Sequence, residues 1–352
     1  MNGGDSMDFE GSQMLGTTPT SKIGHRLFTS FMNRAVAAGF LIAFAAMYYG
    51  ATSVNAGPAQ RQVSDTGGQA YYEGAFTLID LPAGDLAEAL PDLSGLVPAA
   101  DQEPLPRLLS KVGENVENAY RKFTEIIADE QVTRVQCGPK GRLKTVARQD
   151  FTYLIIPHHE EGQDRIEEYR IALGGKPGQS LEAGALTTQG FAAMWALFYP
   201  GNQFESRFRY FGQQPFGDRQ VNVIGFAQRP GWSSVKGFEH PQPAGQPVVV
   251  LYQGVVWIDM ATNKILKMQA QLLKPRLDIK LELQTTEIRF GEVHISDAAS
   301  TSLWVPLQVT VTTVWSGQVL RDEHLYSNYK LPGSSTKIQV APTETLPPPK
   351  TN

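Results

Sequence analysis

Period-two patterning between about residues 130 and 329 constrains this 352-residue chain most. Alternating apolar and polar side chains fall on opposite faces of an extended strand. The stretches 130–137, 142–157, 165–173, 204–211, 217–228, 247–259, 264–273, 277–290, 303–315 and 318–329 read as extended strands, several of them with this alternation, which predicts nine or ten strands. Strands and helices do not alternate, which argues against a parallel α/β sheet. Polar turns such as Gly138-Pro139-Lys140-Gly141 and Asp259-Met260-Ala261-Thr262-Asn263-Lys264 predict antiparallel hairpins. The segment 247–259 is apolar on both faces, as expected of a central strand covered on both sides. In 277–290 the alternation places Leu277, Ile279, Leu281 and Leu283 inside and Asp278, Lys280, Glu282 and Gln284 outside. Leu303, Val305, Leu307, Val309 and Val311 are expected to share one side.

Before the strands the period is helical. Leu105, Leu108, Leu109, Val112, Val116, Tyr120, Phe123 and Ile127 recur every three or four residues, predicting one amphipathic helix to about Ile127. Asp101 is a candidate cap, and Gly113 weakens the helix slightly. A second, short helix is expected over 188–198, stopped by Pro200. Residues 57–103 are rich in Gly, Pro, Ala and Asp and read as a linker; 332–352, with Pro347-Pro348-Pro349, reads as a disordered tail. The folded domain is therefore expected over 104–331.

Residues 1–56 read as an export leader. Lys22, Arg26 and Arg34 precede twenty uncharged residues, Ala35 to Val54, and Val54-Asn55-Ala56 is a small-x-small triplet. That layout is a secretory signal. Met32 would start a more compact one. The expected location is periplasmic or secreted, with inner-membrane anchoring through 35–54 if the leader stays attached. The net charge of −4 gives no support for nucleic-acid binding. The single cysteine, Cys137, rules out an intrachain disulfide and a cysteine-rich zinc site.

Catalytic signatures are absent. There is no Gly-x-Ser-x-Gly elbow, no His-Glu-x-x-His and no phosphate loop. His158-His159-Glu160-Glu161 is the one polar cluster, and adjacent histidines on an extended chain point to opposite faces, so a solvated turn is the better reading than a metal site. His240, His294 and His324 sit in segments without matching partners. No enzyme, metal or cofactor is expected. Phe204, Phe208, Tyr210, Trp257 and Trp304 could line an apolar cavity, or they could fill a solid core.

The segment Gly254-Val255-Val256-Trp257-Ile258-Asp259-Met260-Ala261-Thr262-Asn263-Lys264-Ile265, in a leader-bearing chain with an early helix and successive long antiparallel strands, resembles the periplasmic lipoprotein-carrier superfamily of LolA-like, LppX-like and RseB-like proteins. The resemblance would cover about 105–330. It implies an α+β, mainly-β fold: a curved antiparallel half-barrel with helices on its concave face over an apolar cavity for acyl chains. It implies no catalytic residue. The candidate ligand-binding set is Phe191, Trp195, Phe204, Phe208, Tyr210, Trp257, Leu281 and Trp304, with the two helices as a lid. The expected partner is an acyl-chain lipid or lipoprotein. The alternative is a solid-core envelope module that binds another protein through a sheet edge.

Overall fold

A computed structural model describes residues 52–55, 70–122, 126–137, 143–160, 163–173, 194–232, 239–240, 248–295 and 301–331. Strands β3 (Ile126–Cys137), β4 (Leu143–Glu160) and β5 (Gln163–Ala172) form one meander. Strands β6 (Ser206–Phe216) and β7 (Arg219–Gln228) form a hairpin. Strands β10 (Tyr252–Asp259), β11 (Ile265–Leu272), β12 (Leu281–Ile295), β13 (Thr301–Trp315) and β14 (Gln318–Lys330) form a second meander. β14 pairs with β3 and β10 with β7, so all ten join one antiparallel sheet. Two short strands complete its edges: β1 (Thr52–Asn55) on β5 and β2 (Val97–Pro98) on β6. The order is β1-β5-β4-β3-β14-β13-β12-β11-β10-β7-β6-β2, which is twelve strands rather than nine or ten. Glu239–His240 (β8) and Val248–Val249 (β9) make a separate ribbon. The sheet is a curved half-barrel whose ends do not meet, and the chain passes from one edge strand region, β5, to the other, β6, between residues 172 and 206.

The long helix (Leu105–Lys122) lies on the concave face. Val112, Val116 and Tyr120 are buried, with Leu105, Leu108, Leu109 and Ala119 packed around them, as the sequence period requires. The helix ends at Lys122, and Ile126 already starts a strand, so Ile127 belongs to β3 and not to the helix. Asp101 Oδ1 accepts the Glu103 N–H at 2.9 Å just ahead of the helix. The expected second helix is only partly described: Met194–Trp195 is helical, and Ala196–Phe198 and Pro200–Glu205 are 3₁₀ turns. Gly113 lets this segment approach the helix, because a Cβ there would lie 2.7 Å from Gln203 Nε2 and 3.1 Å from Pro200 Cγ.

Two side-chain layers sandwich the β6–β7–β10–β11 end of the sheet. Tyr252, Val256 and Ile258 of β10 face the concave core, while Leu251, Val255 and Trp257 face a second core on the convex side. All of β10 is buried, matching its two-sided apolar pattern. The convex layer is built by Tyr72, Leu78, Ile79, Leu86, Leu90 and Leu93, so residues 70–98 are not a linker. They close over the sheet through short 3₁₀ turns and the helix Leu86–Ala89. Tyr72 O–H accepts the Leu251 N–H at 3.2 Å, Gln253 Oε1 accepts the Leu78 N–H at 2.7 Å, and Asp92 pairs with Lys267 at 2.5 Å.

Two irregularities overturn the expected facing. The turn Leu277–Ile279 is 3₁₀, Lys280 has φ of 59°, and the β12–β13 register shifts between Leu281 and Leu283. After that bulge Leu283 is exposed and Gln284 is buried, the reverse of simple alternation. A second shift opposite Pro306 turns Leu307 outward. Gly212 has φ of +135°, and a Cβ on it would sit 2.0 Å from the Val97 carbonyl, where β2 crosses β6. Gly212→Ala is expected to lower the unfolding free energy by about 2 kcal/mol or more, seen as a fall in thermal midpoint. Gly217→Ala, at φ +62° with open space around it, should cost less.

Candidate functional site

The concave face under the helix is a continuous apolar and aromatic surface. Trp195 stacks on Phe290 with centroids 5.4 Å apart and planes 6° from parallel. Phe198 tilts against Phe208 at 5.4 Å and meets Phe226 edge-on at 6.0 Å. Tyr120 of the helix contacts Trp195 at 6.5 Å and Tyr199 at 5.7 Å. Only the helix and the Met194–Glu205 segment cover this part of the face, among the described residues. Polar bonds also hold them in place. Asn115 Nδ2 donates to the carbonyls of Thr262 and Asn263 at 3.0 Å each, and Gln203 Nε2 donates to those of Leu109 and Phe198 at 3.0 Å each.

The turn that receives Asn115 is the one the sequence resemblance rests on. Asp259 Oδ1 accepts the N–H groups of Ala261 and Thr262 at 3.0 and 2.7 Å and the Thr262 hydroxyl at 2.9 Å. Burial disfavours the Asp259 carboxylate, but these bonds and Arg219 hold its pKa below the ordinary value. Asn263 adopts φ of 55°. The Trp-Ile-Asp-x-x-Thr pattern is therefore a structural device that fixes two carbonyls where the helix docks.

The predicted site residues divide. Trp195, Tyr210 and Leu281 are buried in the concave core, and Phe208 packs partly buried against it. Tyr210 O–H donates to Asn222 Oδ1 at 3.0 Å. Trp257 does not join them: it is fully buried in the convex core, its ring faces Lys267 Nζ at 4.8 Å, and its N–H has no hydrogen-bond partner. Strand alternation explains this, since Trp257 follows Val256 and precedes Ile258, both concave. Trp304 is half-buried and touches both cores, its N–H donating to the Ile265 carbonyl at 2.7 Å. Phe204 lies outside the concave layer, 41% exposed, edge-on to Trp232 at 6.3 Å. Phe191 lies outside the described residues, as do the side chains of the His158-His159-Glu160-Glu161 cluster and Cys137.

Sequence reasoning missed a polar cluster on the same concave face, between β3, β5 and β14. Glu130 is 1% exposed. Its Oε2 accepts from Arg170 Nε at 2.6 Å; its Oε1 accepts the Tyr326 O–H at 2.8 Å and lies 2.7 Å from His324 Nδ1. The Arg170 guanidinium also stands over the Tyr153 ring at 5.3 Å. One step further along β3 and β14, buried Arg134 grips Asp322 with two bonds of 2.7 and 2.6 Å. Nearer the middle of the sheet the Tyr252 hydroxyl donates to Gln284. His324 thus has the partner its local sequence did not reveal: Glu130 is 194 residues away, and the β14–β3 register sets it opposite Tyr326 and diagonal to His324.

No protein-family model matches the chain, and no curated protein matches it in sequence. Among solved structures the chain is similar to a DUF1329 family protein from Desulfovibrio piger, at 10% identity and TM-score 0.38 over 66% of this chain and 95% of that one. It is similar to a LolA superfamily protein from Nitrosomonas europaea, at 11% identity and TM-score 0.31 over 64% and 94%. It is similar to an outer membrane lipoprotein-sorting protein domain from Vibrio parahaemolyticus, at 13% identity and TM-score 0.32 over 63% and 91%.

Burial works against the Glu130 carboxylate, yet Arg170 and His324 bring its pKa down from 4.5 to about 2. The folded value lies below the unfolded one, so the stabilisation is present above pH 4.5 and is lost as pH falls towards about 2. A denaturant titration series should show on the order of 3 kcal/mol disappearing across that window. Glu130→Gln should flatten that part of the profile and lower stability at neutral pH, because the buried Arg170 loses its counter-charge.

Proposed function

We propose that this protein is a non-catalytic, exported binding protein that holds an acyl-chain lipid or another elongated apolar ligand on the concave face of its half-barrel. The observation that carries the reading is the aromatic sheet face of Phe208, Phe226 and Phe290, met by Trp195 and Phe198 from a cover of two elements rather than a second sheet. Burial of each methylene against such a surface contributes about 0.8 kcal/mol, so affinity needs no chemistry at the ligand. The cover is suited to moving aside. The helix contacts the face through apolar side chains, and Asn115 and Gln203 supply exchangeable hydrogen bonds to backbone carbonyls. Export rests on the leader-like 1–56 segment, whose last residues Thr52–Asn55 pair with β5 as the edge strand β1, which favours a leader that stays attached over one cut after Ala56; the residue pattern around Trp257-Ile258-Asp259 supports the same class of protein. No helix among the described residues is long and apolar enough to cross a membrane.

The competing reading, a module that binds a partner strand, is disfavoured at the β6 edge. β2 pairs with Gly212 and Gln213, the Ala99 N–H donates to the Phe211 carbonyl at 2.8 Å, and the Gln102 side chain satisfies both backbone groups of Tyr210 at 2.8 and 2.9 Å. That edge is already blunted against augmentation.

Native mass spectrometry of the protein purified from a bacterial envelope fraction, before and after organic extraction, tests the proposal. The expected result is a mass excess that extraction removes and that contains acyl chains. Phe208→Ser should weaken uptake of a fluorescent fatty acid several-fold while leaving the fold intact, since Phe208 is only partly buried. An empty protein that takes up no fatty acid contradicts the proposal.

A further inference from the structure

The exposed large apolar side chains are not spread evenly over the two ends of the half-barrel. Ser206 pairs with Gln228, Gln253 with Ala227, Tyr252 with Leu272 and Leu281 with Trp315, so the segments before β6, after β7 and between β11 and β12 all emerge at one end. Those segments present Phe204, Trp232 and Leu277, exposed by 41%, 51% and 65%. The convex cover brings Phe76, 67% exposed, to the same end. Its neighbour Leu78 bonds to Gln253 and its predecessor Tyr71 donates to the Pro275 carbonyl at 2.6 Å. At the opposite end, among the described residues, the exposed large apolar residues are Met260, at 41%, and Val97, which the edge strand β2 holds opposite Gln213; neither is aromatic.

We propose that this end of the half-barrel docks on a lipid bilayer surface through Phe76, Phe204, Trp232 and Leu277. The anchors come from separate segments and define no shaped groove, which suits a soft interface better than a folded partner. Two of them, Phe204 and Trp232, form an edge-on aromatic pair held in water, and aromatic side chains favour the bilayer–water boundary. Exposed cations stand beside them in the chain, Arg229 before Trp232 and Lys280 after Leu277. The intervening acid, Asp278, is taken by Arg276 at 2.6 Å. With the exposed acids Glu73 and Glu282 near the same anchors, these cations offer local contacts to anionic headgroups rather than a net positive face. Phe204 is also continuous in the chain with Phe208 on the concave face, which places the docked end next to the proposed binding surface. The inference goes beyond the carrier reading. Docking without bound lipid would leave it standing, and bound lipid without docking would overturn it alone.

The test uses the full chain with Cys137→Ser and one environment-sensitive NBD label, placed by Trp232→Cys, Leu277→Cys or, at the other end, Met260→Cys. Vesicles of phosphatidylethanolamine and phosphatidylglycerol are the probe. A position-by-position reading separates the rim from any contact made through residues 35–54. The expected result is a blue shift and a rise in emission at positions 232 and 277, with none at 260. Labels at 232 and 277 that stay in water overturn the proposal. So does an equal shift at all three positions, which would mean unspecific adsorption.

Discussion

Burial of β10 on both faces is the constraint on which the rest of the molecule depends. An open sheet this wide has two faces, and a strand with apolar side chains on each needs two covers. Val256 and Ile258 require one on the inside, Val255 and Trp257 another on the outside. The outer cover is supplied by residues 70–98 and sealed by polar links that reach the sheet, Gln253 to Leu78 and Lys267 to Asp92. The inner cover is the long helix with Met194–Glu205. One strand thus requires an outer layer and an inner layer. The proposed function uses the inner one.

The inner face is not uniform along the sheet. Beneath the helix it is aromatic, and towards β3, β5 and β14 it holds the Glu130–Arg170–His324–Tyr326 cluster. Buried charges of this kind are costly unless every partner is in place, so they fix register more reliably than they add stability. Here they join strands from the two ends of the sequence: β3 follows the helix, and β14 is the last strand. The cluster and the Arg134–Asp322 pair lock the seam where the first meander meets the second.

Local periodicity made the ten long strands, their antiparallel connections and the helix face of Val112, Val116 and Tyr120 legible in the sequence. These features are set by side-chain alternation over a few residues. What escaped was whatever depends on a single inserted residue or on distant pairing. A bulge at Leu281 reversed the faces of Leu283 and Gln284. Trp257 was grouped with Phe208 and Tyr210 because all are aromatic, yet the parity of β10 sends it to the other side. Residues 70–98 looked like a linker because their apolar residues, Leu78, Ile79, Leu86, Leu90 and Leu93, follow neither the helical nor the strand period over any useful length. His324 reads as isolated because nothing local announces that Glu130 lies diagonally across on β3.

The central claim is that ligand sits on the concave face beneath the helix. Photo-crosslinking with a diazirine-bearing fatty acid, followed by peptide mapping, reads the location directly. The account predicts adducts on the peptides that carry Trp195, Phe208 and Phe290. Adducts confined to the convex cover around Tyr71 and Leu86, or no adduct at saturating fatty acid, would contradict it.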